Sequence, residues 1–84
     1  MANEKLRTAC FNALETFKKL NDDDYAEIQS KLEFVVGSFD FDGNPVGLYE
    51  FGTLAIPLLK KAKETYPRKI TKKVIEELEK AVKN

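Results

Sequence analysis

Eighty-four residues, with 14 acidic and 14 basic side chains, one cysteine and no histidine, leave room for one core and exclude several chemistries. A chain this short buries only about 60–65% of the surface its unfolded form exposes, so it needs efficient packing or help from a partner. The lone Cys10 rules out an intramolecular disulfide and suits a reducing compartment. The missing histidine removes the commonest general base and the Ser-His and Cys-His nucleophile pairs, and with a single thiol it removes a structural zinc site too.

The opening MANEKLRTAC carries Glu4, Lys5 and Arg7 and lacks the apolar core of a signal peptide. The charge-free run 51–59 is nine residues long, against about 20 for a membrane-spanning helix. The expectation is a soluble, cytoplasmic protein whose residues 1–84 form one small helical domain.

The first helix is predicted over residues 3–20. Leu6, Cys10, Ala13, Phe17 and Leu20 recur at helical spacing, with Leu14 beside them and Glu15 and Lys19 as a surface pair. Residues 21–24 end it, and Asp24 with Glu27 has the spacing of a capping box for a second helix. That helix carries Tyr25, Ile28, Leu32, Val35, Val36 and Phe39 on one face, and residues 38–43 close it. Asn44 is a good cap and Pro45 a favoured first residue for the third helix.

The third helix is the most apolar stretch of the chain. Between residues 46 and 59 the only polar side chains are Glu50 and Thr53. A helix apolar nearly all round must be covered on several sides, so this element is expected at the centre. Its stripe is Leu48, Phe51, Ala55, Leu58, Leu59, Ala62 and Tyr66. Pro57 predicts a kink or a division into two helices, Gly52 permits close approach of a neighbour, and Pro67 stops the helix. Thr71 then caps a fourth helix with Val74, Ile75, Leu78, Ala81 and Val82 inside. Glu76 with Lys80 and Glu79 with Lys83 are expected to pair along its surface. The fold expected is an all-α, compact four-helix domain with a central third helix kinked near Pro57. The competing reading is an α+β fold with a hairpin of residues 34–41 and 46–53, although Pro45 and Gly47 are poor in a returning strand.

Chemistry-bearing constellations are sparse. Cys10 lies on an apolar stripe, where a small hydrophobic role is the default. With Gly43 in the sixth position of a calcium loop, Ser38, Asp40 and Asp42 take the ligand positions, but the twelfth falls on Tyr49 and Glu50 misses by one. No glycine-rich phosphate loop is present, and no pair of carboxylates stands out. The expectation is a non-enzymatic protein with no cofactor and no catalytic or metal site.

Charge is unevenly distributed along the chain. Residues 15–50 carry nine acids and three bases, whereas residues 51–73 carry seven bases and one acid. Those seven, Lys60, Lys61, Lys63, Arg68, Lys69, Lys72 and Lys73, form the candidate partner-binding site. Lys72 and Lys73 sit at the end of a helix that disfavours cations, an electrostatic cost that binding explains. The function expected is a binding module acting through protein–protein contacts, with an unknown protein or a second copy as partner. The alternative is non-specific nucleic-acid binding through residues 60–73, which the carboxylates of Glu76, Glu77 and Glu79 oppose.

Overall fold

Each apolar stripe becomes the inner face of a helix in the computed structural model, which describes residues 2–83 of the expected 1–84 domain. The elements are α1 (Ala2–Leu20), α2 (Ala26–Asp42), α3 (Val46–Thr65) and α4 (Lys72–Lys83), with one 3-10 turn at Asp23–Tyr25 leading into α2. The architecture is all-α, and no strand occurs among the described residues. Both segments of the alternative hairpin lie inside α2 and α3. None of the described helices is long and apolar enough to cross a membrane.

In α1, Leu6, Cys10, Ala13, Leu14, Phe17 and Leu20 are all buried, as their spacing predicts, and Ala9 joins them. Glu15 pairs with Lys18 at 3.6 Å rather than with Lys19, since three residues and four residues apart are both neighbours on a helix. The chain leaves α1 through Asn21, whose φ of 49° is tolerated by asparagine. The expected capping box at Asp24 gives way to a cap one step earlier. The Asp22 carboxylate accepts the N–H of Asp24 at 2.9 Å and starts the 3-10 turn. Tyr25 is thereby directed inward, stacked on Phe17 with ring centroids 5.4 Å apart.

α2 continues to Asp42, where Gly43 adopts φ 74° and donates its N–H to the Phe39 carbonyl at 2.7 Å. This left-handed cap costs a glycine little. Asp42 then accepts the N–H of Asn44, and Asn44 accepts the N–H of Val46 at 3.1 Å; α3 begins at Val46 with Pro45 in the cap position, one residue later than the expected start at Pro45.

α3 is a single 20-residue helix that runs through Pro57 without dividing. Pro57 lies on the solvent side, as does Thr53, whose carbonyl loses its helical donor to the proline and can be served by water. Leu48, Gly52, Ala55, Leu59 and Ala62 are buried, Phe51 and Leu58 are half-buried, and Val46 and Leu54 are exposed. The helix packs against all three others, in keeping with a central role, but α1 does so as well. These two helices form the short diagonal of the bundle, with α2 and α4 on its flanks. At that diagonal a Cβ on Gly52 would stand 3.2 Å from Cys10 Sγ and from Val82 Cγ1.

Residues 66–71 turn the chain into α4. Ile70 is buried there, and Lys63 donates its ammonium to the Ile70 carbonyl at 2.8 Å. Thr71 accepts the N–H of Val74 at 3.3 Å, the expected cap. Glu79 does not pair with Lys83; it reaches across to Lys60 of α3 at 3.2 Å.

Two kinds of substitution test this packing by equilibrium denaturation. Leu59→Ala, at a fully buried site, is expected to cost about 2–5 kcal/mol, and Leu58→Ala, half-buried, clearly less. The glycines should respond with opposite signs. At Gly47 an added Cβ meets Val35 Cγ1 at 2.7 Å and Val35 Cβ at 3.1 Å, so Gly47→Ala destabilises. At Gly37 it meets nothing within 4 Å, so Gly37→Ala should stabilise α2 by about 0.5–1 kcal/mol. A stabilising Gly47→Ala would show that α2 and α3 do not approach as described.

Candidate interaction surfaces

The residues singled out for chemistry are engaged in structure. Cys10 is fully buried, burial pushes its thiol up to about 12, and its Sγ lies 3.6 Å from the Leu48 carbonyl. Its reactive thiolate form is thus suppressed. The calcium-like spacing falls on a helix rather than a loop: residues 38–42 are the last turns of α2. Asp40 receives both the Nε and the Nη2 donors of Arg7 on α1, at 3.0 and 2.8 Å. That fork holds the Asp40 carboxyl below its ordinary range. Asp42 is the acceptor for Asn44.

Short connections make the helices run alternately up and down, so the start of α2 and the end of α3 meet at one end of the bundle. The Tyr66 hydroxyl donates to Asp22 at 2.6 Å, tying the α1–α2 turn to the α3–α4 turn. This bond, and then the Asp24 N–H, hold the Asp22 carboxyl below its usual 3.8. The same bond raises the Tyr66 phenol above 10.0. Lys69 stands over the Tyr66 ring at 5.7 Å.

The seven predicted basic residues gather around this end, but they do not act alike. Lys60 is paired with Glu79 and Lys63 serves the Ile70 carbonyl, so two of them stabilise the fold. Lys61, Arg68, Lys69, Lys72 and Lys73 have no ion pair among the described residues. Folding also brings Asp22 to the same end, where Tyr66 takes Asp22 at its hydroxyl and Lys69 over its ring.

Folding also presents a second surface. On the outer side of α2 and α3, Phe34 is 70% exposed and Leu54 is 51% exposed. Phe41, seven residues on from Phe34 and so on the same helical stripe, is 93% exposed. Between the two helices lies a groove of about 420 Å³ whose walls include Ile28, Leu54, Pro57 and Leu58, rimmed by Asp24, Glu27 and Lys31. Lys31 sits 5.3 Å from the centre of the Phe51 ring. The sequence signal was available: Phe34 and Phe41 lie off the buried stripe of α2, and Leu54 lies off that of α3. A larger groove of about 670 Å³ separates the start of α1 from the end of α4. Ala9 and Ala81 contribute to its floor, and its rim mixes Glu4, Lys5, Glu77 and Lys80.

No protein-family model matches the chain, and neither curated proteins nor solved structures give a match.

Two measurements check these assignments. Cys10 should resist a thiol reagent in the native state and react only at the rate of unfolding; fast native labelling would place it at the surface. Tyr66→Phe should lower stability at neutral pH. Asp22's folded pKa is depressed, so its contribution is present above the ordinary carboxyl pKa and is lost as pH falls through the lowered value. The stability gap between parent and variant should therefore close in acid, and a gap independent of pH would contradict the bond.

Proposed function

We propose that this domain is a non-catalytic binding module acting through protein–protein contacts, with the outer face of α2 and α3 as its principal docking surface. The observation that carries this reading is an apolar groove walled by Ile28, Leu54, Pro57 and Leu58, with Leu54 exposed in its wall and Phe34 exposed further along the outer side of α2. Core packing is complete without them: the buried side of α2 is Ile28, Leu32, Val35 and Val36, and that of α3 is Leu48, Ala55, Leu59 and Ala62. Clustered apolar side chains left in water by a small monomer mark interaction surfaces. A few well-packed, fully desolvated side chains carry most of the energy of such a contact. The reading suits a reducing cytoplasm, where an unpaired thiol persists. The free cations of residues 61–73 extend the docking surface toward one end of the bundle.

A photoreactive phenylalanine analogue placed at position 54 tests this in cells that make the protein. Cross-linked adducts are expected at position 54 and at position 34, and not at the exposed position 76 of α4. Equal yields at all three would remove the α2–α3 face from the proposal, and no adducts anywhere would remove protein contacts altogether.

Nucleic acid is the second reading, favoured by five unpaired cations, Lys61, Arg68, Lys69, Lys72 and Lys73, at one end. It is opposed by Asp22 at that end and by the exposed Glu76 and Glu77 of α4. Phosphate contacts make log affinity fall with log salt at a slope of about −0.9 per phosphate neutralised. Titration of duplex DNA near physiological salt should show no saturable binding. Binding with a slope near −4, abolished by Arg68→Glu with Lys72→Glu, would replace protein contacts as the leading reading.

A further inference from the structure

Gly47 lies against Val35, and Phe51 lies under Lys31, so α2 and α3 run antiparallel in a fixed register. That register sets Asp24 level with Leu58, Ile28 level with Leu54, and Lys31 level with Phe51. Charges around the apolar groove can therefore be placed. Along the α2 rim, Asp24 and Glu27 come first and Lys31 follows. Along α3 the order is inverted. Lys61, one turn on from Pro57 and Leu58, lies at the acidic end of α2, and Glu50, one turn before Leu54, lies beside Lys31. The face is a checkerboard with an apolar centre. None of these five charged side chains has an ion-pair partner within 4.0 Å among the described residues.

We infer that this face binds the same face of a second copy of the chain through a two-fold axis, an inference that rests on the protein-contact reading above. A two-fold interface must be complementary to itself, and this pattern is. If the axis runs along the helices, α2 lies on the partner's α3, and Asp24 and Glu27 turn toward the partner's Lys61 while Lys31 turns toward the partner's Glu50. If the axis runs across them, Asp24 and Glu27 face the partner's Lys31 and Glu50 faces the partner's Lys61. Acid meets base in both arrangements, and Leu54, level with Ile28 between the charged positions, supplies the desolvated centre in both. A uniformly basic partner helix would be repelled by Lys31 and Lys61, and a uniformly acidic one by Asp24, Glu27 and Glu50. The occupant needs the same mixed pattern, and a second copy presents it by construction. The formal net charge of zero removes long-range repulsion between copies.

Sedimentation velocity and light-scattering molar mass of the full chain, from about 10 μM to about 1 mM, test the pairing. The mass should rise toward twice that of the chain. Leu54→Glu, at a half-exposed position, should hold it at one copy with helical content unchanged. Glu27→Lys should weaken pairing by about tenfold, because it sets like charges opposite each other. One reversal, either Glu27→Lys with Lys61→Glu or Glu27→Lys with Lys31→Glu, should restore it and thereby identify the axis. A monomer at the highest concentration overturns the inference. So does a dimer indifferent to Leu54→Glu, and so does the failure of both reversals. Adducts at position 54 with other proteins, from a chain that stays monomeric, would overturn this inference alone. Absence of any adduct would overturn the protein-contact reading with it.

Discussion

The missing side chain at Gly52 sets how closely the two inner helices approach. Around that position Cys10 of α1 and Leu78 and Val82 of α4 converge within 3.2 to 3.4 Å of where a Cβ would stand. The Cys10 sulfur lies 3.6 Å from the Leu48 carbonyl, a distance open only to a small side chain on a closely packed helix. Ala13 of α1 and Ala55 and Ala62 of α3 are further small buried side chains, set among larger ones such as Phe17, Leu48 and Leu59. With α1 and α3 in close contact, the bundle closes along that diagonal and α2 and α4 occupy its flanks. A helix as apolar as α3 then cannot be covered all round, because neither flanking helix reaches its outer side. Leu54 and Val46 remain in water for this geometric reason.

The electrostatic arrangement follows from the same topology. In sequence the acids of residues 15–50 and the bases of residues 51–73 are two blocks, which suggests a molecule with opposite ends. An up-and-down bundle folds the start of α2 back against the end of α3, so the blocks face each other across one end. The Tyr66 hydroxyl on Asp22, with Lys69 above the same ring, links the two blocks there. Two cations are drawn into the structure, Lys60 by Glu79 and Lys63 by the Ile70 carbonyl. The exposed Lys60 pair contributes little to stability. Lys63 does more, since it provides a donor for the carbonyl of a buried residue in a turn.

How much of this was legible in the sequence depended on the range of the interaction involved. Periodicity placed the four helices and nearly all of the core, because the buried face of a helix is a local pattern. Thr71, Asn44 and Gly43 were readable as helix boundaries, since caps act within three residues. Interactions between elements were not readable. Glu79 was expected to pair along its own helix, but the crossing of α3 and α4 offered it Lys60. Ile70, one isolated apolar residue in a basic turn, gave no periodic signal and is buried by how the turn folds back. The basic site was legible as composition, but not which of its members the fold would use. The α2–α3 face was visible only as residues left over from the stripes, and its checkerboard needs the register that Gly47 and Phe51 define.

That register connects stability to function. Gly47 allows Val35 to approach and fixes the level of every residue across the groove. The core asks nothing of Phe34 or Leu54; both lie beyond the buried stripes and gain little from folding. A surface chosen for solubility alone would carry polar side chains at those positions, as α4 does with Glu76 and Glu77. The charges around the groove alternate in sign across it and have no ion pair among the described residues. Apolar side chains that the core does not need and ions that the fold leaves unmatched occupy one face. Folding leaves both unsatisfied, and contact with a second surface of matching pattern satisfies both together.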